Sequence, residues 1–213
     1  MTEKTTESFS KNDVELLKRE VKYQGIFRLV ELHLRHRTFD GGWSNTFTRE
    51  ILERKSAVAI LPYDPVLEQV VLIEQFRAGA LADPQGPWLL EIVAGIFNGE
   101  ERPREVAIRE AEEEAGCKIL DIYPISEYFV SPGGATEYLH LFIGRIDASE
   151  IGGIHGLSEE NEDIRAFSLP IDEAFTLLQE GKIKTSPAII SLQWLQLNRE
   201  WLRQLWQTKE NQK

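Results

Sequence analysis

The stretch GIFNGEERPREVAIREAEEEAGC, residues 95–117, decides how this chain is read. Pro103 suits the first turn of a helix, where its missing N–H costs nothing. Ala107, Ala111 and Ala115 recur every four residues, and Gly116 is a C-terminal stop signal. The helix predicted over Pro103 to Ala115 carries Glu110, Glu113 and Glu114 at i, i+3, i+4 on one face, with the alanine series expected opposite, close against a sheet. Like charges at that spacing cost about 0.2–0.5 kcal/mol per pair. Glu114 also sits at the end of the helix dipole that disfavours an anion. A helix that needed only solubility would mix in Lys. Oxygen ligands crowded together suit hard cations such as Mg²⁺ or Mn²⁺, which also bind substrate phosphates. Taken alone, the same glutamates describe a solvated acidic face; the wider spacing separates the two readings.

Outward from this segment, the chain reads as strands. Ala57 to Leu61, within Lys55 to Leu61, and Gln69 to Gln75 are apolar runs parted by Pro62-Tyr63-Asp64-Pro65, and Trp88 to Val93 is a third buried run. Upstream, Tyr23 to Phe39 alternates apolar and polar residues, Asp40-Gly41-Gly42 is a turn signal, and Trp43 to Glu53 returns, which predicts a hairpin. Downstream, Ile119 to Phe129 and Tyr138 to Ile146 flank the turn Ser131-Pro132-Gly133-Gly134. Glu150 to Asp163 is a loop, Ile164 to Leu169 a last strand, and Ile171 to Glu180 and Pro187 to about Gln207 are helices. The expected organisation is a tail at 1–10, an N-terminal β domain at 11–55, a main domain at 56–207 and a short tail at 208–213.

Spacing then points to a family. Gly95, Glu101, Arg109, Glu110, Glu113, Glu114 and Gly116, with Ala111 and Cys117 in the apolar slots, resemble the Nudix box. The resemblance implies an α+β Nudix fold, an α/β/α sandwich around a mixed sheet with a small N-terminal antiparallel strand domain. It also implies metal-dependent hydrolysis of a nucleoside diphosphate linked to another group. By this resemblance Glu110, Glu114 and the carbonyl of Ala94 hold the metals, with Glu113 a further candidate. Arg109 orients the carboxylates, and Glu101 is either another ligand or a structural acceptor.

From about Tyr23 to Asn198 the chain resembles the ADP-ribose pyrophosphatase branch of that family. Pro132 lies about fifteen residues past the box, as in that branch. Arg77 in Glu74-Gln75-Phe76-Arg77, together with Glu137, Arg49-Glu50 and Arg54, resembles the bacterial dimeric enzymes. The resemblance implies a homodimer with an exchanged N-terminal domain, in which Ile26, Phe27, Arg49, Glu50 and Arg54 reach across to the partner's adenine and ribose site. Arg77, Ser131, Gly133 and Glu137 are then expected to act from the main body. The loop Gly156-Leu157-Ser158-Glu159-Glu160-Asn161-Glu162-Asp163 resembles the catalytic loop of the branch, which makes Glu160 the general base, with Glu159 as its alternative, and Glu162 a third metal ligand. A base on a loop can close once substrate and metals are present.

Composition agrees with this chemistry. In 213 residues, 24 Lys+Arg stand against 35 Asp+Glu, a formal net charge of −11. Such a chain repels nucleic acid unless it clusters its bases, and no such cluster is seen. A phosphate substrate then calls for a bridging divalent cation. The lone Cys117 leaves no disulfide framework and fits a reducing compartment. The first 20 residues lack a secretory apolar stretch, and no run approaches membrane-spanning length, so a cytoplasmic protein is expected. His33 and His36 point to opposite strand faces, and no HExxH or CxxC occurs. The rival readings are a GDP-mannose or other nucleotide-sugar pyrophosphatase and a non-catalytic nucleotide-sugar sensor.

Overall fold

The computed structural model describes residues 9–97, 100–157, 159 and 161–210. The chain divides into two compact units. The first holds the described residues up to Lys55 together with Phe129–Glu137; the second holds Ser56–Tyr128 and the described residues from Tyr138 onward.

The first unit is a three-stranded antiparallel sheet in the order β1 (Val14–Gln24), β2 (Arg28–His36), β3 (Phe47–Glu53). The single strand expected from Tyr23 to Phe39 is broken at Gly25–Phe27, and the residues before it form β1. Bulges between Leu16 and Lys18 and between Val21 and Tyr23 shift the register of β1 on β2, which erases the period-2 signal. The returning strand starts at Phe47 rather than Trp43, which makes only an isolated bridge to Arg37. Phe129–Glu137 joins this unit through backbone bonds between Leu52 and both Gly134 and Thr136.

The second unit is built on a mixed sheet with β10 (Gly152–His155), β11 (Ile164–Pro170), β5 (Gln69–Phe76), β4 (Ala57–Asp64), β9 (Tyr138–Arg145) and β8 (Asp121–Phe129) in spatial order. β4 and β9 are parallel, and β4 and β5 antiparallel. β4 is buried along its whole length and β5 along most of its own, which explains their unbroken apolar runs. Alternate residues face opposite ways. Ala57, Ala59, Leu61, Tyr63, Val70 and Leu72 pack with α2 (Ile171–Gln179) and α3 (Ser186–Glu210). Val58, Ile60, Val71 and Ile73 pack with α1 (Pro103–Ala115) through Val106, Ala107, Ala111 and Ala115. Two buried faces on one sheet, each covered by helix, make an α/β/α sandwich in an α+β chain.

The expected turn at Pro62–Pro65 falls later. β4 runs through Pro62 to Asp64, and the Asp64 carboxylate closes the turn by accepting the N–H groups of Val66 and Leu67. The expected strand Trp88 to Val93 is two, β6 (Trp88–Glu91) on β5 and β7 (Val93–Ile96) on β4. β4 and β5 pair only beside their turn, and the chain from 88 to 96 transfers from one to the other at Ile92. Among the described residues, no helix is long and apolar enough to cross a membrane.

Candidate active site

Helix α1 begins at Pro103 and ends where Gly116 adopts φ +62°, its N–H bonding back to Ala111 and Glu112. A left-handed stop of this kind favours glycine. The alanine face does not lie opposite the glutamates. Glu114 follows Ala107 and Ala111 at i+7 and i+3, so it joins the buried side at 5% exposure, while Glu113 points outward. Glu110 lies between them. Arg109 pairs with Glu110 at 2.9 Å and with Glu113 at 2.8 Å.

Strand β7 runs beneath this helix edge. The Ala94 N–H donates to Glu114 Oε2 at 3.0 Å. A Cβ on Gly95 would stand 2.2 Å from the Glu110 carboxyl carbon, so any side chain there would push the Glu110 carboxylate out of its present position. Burial first, with the charges of Glu110 and Glu162 adding to it and the Ala94 hydrogen bond opposing, pushes the Glu114 carboxyl up to about 8. Glu110 is raised as well, first by burial, with Glu113 and Glu162 adding to it and Arg109 opposing.

Glu162, in the loop between β10 and β11, lies within electrostatic range of Glu110 and Glu114. Its own carboxylate accepts the Leu157 N–H at 3.3 Å, and its backbone N–H bonds the Leu157 carbonyl at 3.2 Å. Gly156, at φ +94°, passes so close that a Cβ would meet Glu162 Cβ at 2.8 Å. Glu160, the expected base, lies outside the described residues. Glu159 is exposed, and Glu101 is exposed within electrostatic reach of Arg109.

A divalent cation fits this donor set. Three carboxylates, two of them raised by burial and by mutual repulsion, are the hard oxygen ligands that Mg²⁺ or Mn²⁺ takes, and a cation relieves both penalties. The box carboxylates do not form a closed trio in this state. Among the described residues, the trio of possible ligand atoms within 4.8 Å of one another is Glu20, Glu31 and His33 in the first unit. Lys22 already neutralises Glu20 and Glu31 there, at 2.9 Å from each.

Arg77 follows β5 and is bound by Glu91, a residue for which the sequence holds no signal. Arg77 Nε and Nη2 donate to Glu91 Oε2 at 3.0 and 2.8 Å, and Gln75 Nε2 donates to the same oxygen at 3.1 Å.

The remaining expected substrate residues lie in the first unit. Ile26 is 98% exposed at the β1–β2 turn. Arg54 stacks over the Phe27 ring at 5.0 Å and pairs with Glu137 at 2.9 Å. Arg49 covers the Phe47 ring at 4.6 Å and donates to the Thr48 carbonyl, while Glu50 is exposed opposite Glu31. Ser131 and Gly133 are exposed, and the Ser131 carbonyl closes its turn on Gly134 and Ala135. Ser131, Gly133 and Glu137 thus group with the N-terminal strands rather than with the main body as expected, because Leu52 and Arg54 bond the 134–137 segment.

A three-layer sandwich with a glutamate-lined helix over a glycine-bearing strand defines a class, and the comparisons agree with it. The NUDIX domain profile matches residues 53–191, well over half of the chain. This chain belongs to the Nudix hydrolase family. It is 43% identical over 201 residues to the ADP-ribose pyrophosphatase of Haemophilus influenzae, covering 93% of both chains. It is 45% identical over 199 residues to that of Escherichia coli K12, covering 93% of this chain and 95% of the relative. A GDP-mannose pyrophosphatase of Cronobacter sakazakii is 35% identical over 196 residues, covering 87% and 96%. A solved structure described as an ADP compounds hydrolase superposes with a TM-score of 0.67 over 93% of this chain and 98% of that one, at 19% identity, a likeness of fold.

Proposed function

We propose that this protein hydrolyses the pyrophosphate of ADP-ribose to AMP and ribose 5-phosphate with Mg²⁺, or Mn²⁺ in its place. The observation that carries the reading is the buried Glu114 on the Ala94 N–H, with the charges of Glu110 and Glu162 bearing on it. Similarity to ADP-ribose pyrophosphatases over 93% of the chain supports the substrate.

Glu110, Glu114, Glu162 and the Ala94 carbonyl are the proposed metal ligands, with Glu113 a further one. Bound there, the cation supplies neutralisation of the pyrophosphate charge and a lowered pKa for water. Glu160 takes the proton of the attacking water. The water oxygen bonds to one phosphorus, the bridging P–O bond breaks, and its electron pair leaves on the other phosphate. Arg77 holds a pyrophosphate oxygen. Positioning and fixed charge supply most of the rate.

The adenine and ribose fall to the first unit: Phe27 offers a stacking face, Arg54 and Glu137 a fixed polar pair, and Ile26, Arg49, Glu50, Ser131 and Gly133 the remaining contacts. We assign these to the active site of a second copy in a homodimer. The apolar residues exposed on β1, namely Val14, Leu16, Leu17, Val21 and Tyr23, support an interface on that strand. A cytoplasmic setting accords with the single buried thiol.

The test is product analysis with ADP-ribose and GDP-mannose in Mg²⁺ and in chelator. Preferential release of AMP and ribose 5-phosphate, abolished by chelator, is expected. Turnover of GDP-mannose alone would keep the mechanism and discard the substrate.

A further inference from the structure

Glu91 sits where the sheet changes partners. It is the last residue of β6, opposite Ile73 of β5; two residues later Val93 lies opposite Ile60 of β4. Ala94, which holds Glu114, follows directly. The Glu91 side chain is 10% exposed, and its Oε2 alone accepts Arg77 Nε, Arg77 Nη2 and Gln75 Nε2. Arg77 continues the extended backbone of β5, so it and Gln75 leave the strand on the same side and meet at that oxygen.

Stability alone is a poor reason for this arrangement. The Arg77 side chain is 44% exposed, so a nearly buried carboxylate is spent on a partner that water also solvates. Such pairs return little net stability, and an apolar pair of similar volume would serve the fold as well. Orientation is what the geometry provides. With the Nε–Nη2 edge fixed on Glu91, the guanidinium keeps its other edge, with Nη1, for a second anion. Arg77 also lies close enough to the box for its charge to act on Glu114. Released from Glu91, the same cation would be free to fold onto the box carboxylates instead.

We propose that Glu91, with Gln75, is a positioning residue for the hydrolysis: it locks Arg77 so that the outer edge of the guanidinium meets the substrate pyrophosphate beside Glu110 and Glu114. This rests on the assignment of Arg77 to substrate binding made above.

The experiment is a double-mutant cycle on the full chain with ADP-ribose and Mg²⁺, using Glu91→Gln, Arg77→Ala and the pair, with Tm recorded for each. Glu91→Gln is expected to raise KM about tenfold, the size of one misdirected charge-assisted contact, with kcat within about twofold and Tm near that of the parent. Added to Arg77→Ala, it should change nothing further. A KM unmoved by Glu91→Gln while Arg77→Ala impairs the enzyme would overturn the positioning role and leave the Arg77 assignment standing. Additive effects would overturn it in the same way. An Arg77→Ala enzyme with parental kinetics would remove both. Should Glu91→Gln fold poorly, Glu91→Asp keeps the charge while withdrawing the oxygen by one methylene; KM must still rise, and an unchanged KM refutes the proposal.

Discussion

The Ala94 N–H and the Glu114 carboxylate meet at 3.0 Å, joining strand β7 to helix α1 at residues twenty apart in the chain. This bond holds a carboxylate at the buried edge of a helix, where burial penalises its charge. The arrangement makes sense once a cation shares the site.

Replacing Glu114 by Gln keeps an oxygen for the Ala94 N–H and removes the charge. Activity on ADP-ribose should fall about a thousandfold, the upper range for losing one preorganised charge-stabilising group. In chelator the variant should melt at or above the parent, since a neutral amide replaces a buried acid. Mg²⁺ should raise the Tm of the parent and not that of the variant, because only binding to the folded state stabilises it. Steady-state kinetics and thermal melts with and without Mg²⁺ check this; equal Mg²⁺ stabilisation of both would contradict it.

A methyl group at Gly95 would displace the Glu110 carboxylate. Gly95→Ala would place Cβ 2.2 Å from the Glu110 carboxyl carbon. The end of the Glu110 side chain can swing aside, so stability should stay within about 1 kcal/mol of the parent, while the displaced carboxylate should lower kcat/KM at least about a hundredfold. A denaturant melt and a kinetic assay on one preparation check both; a fully active Gly95→Ala enzyme would contradict the placement of Glu110.

Burial pushes the Cys117 thiol up from 9.0 to about 12. A raised folded pKa means this group's contribution to stability is whole below pH 9 and is lost as pH rises through about 12. Since the thiolate is the reactive form, a disulfide reagent at pH 8 should modify Cys117 only at the rate at which the protein unfolds. Rapid labelling of the native protein would contradict its burial.

Sedimentation at micromolar concentration should give a dimer. A monomer would contradict the interface assigned to β1 and, with it, the reach of Ile26 to Arg54 into a second copy's site.

Helix α1 was legible to the residue, because Pro103 and Gly116 each act through backbone chemistry that neighbours barely alter. β4 and β5 were legible as buried runs. β1 was not, since two bulges scramble its alternation, nor was the short β10, whose Gly152-Gly153 reads as loop. The i, i+3, i+4 spacing groups Glu110, Glu113 and Glu114 without saying which edge turns inward, so it does not reveal that Glu114 shares the buried face of Ala111. Glu91 carried no local signal at all. Its importance comes from the transfer of the chain between β5 and β4, a tertiary event that brings it to Arg77.

The most direct test of the central claim is to incubate the purified protein with ADP-ribose, GDP-mannose, ADP-glucose and NADH in Mg²⁺, with and without chelator, and identify the products. AMP and ribose 5-phosphate arising mainly from ADP-ribose, and only with free Mg²⁺, is the predicted result. A folded protein that turns over none of them in Mg²⁺ would contradict the account and favour a nucleotide-sugar sensor.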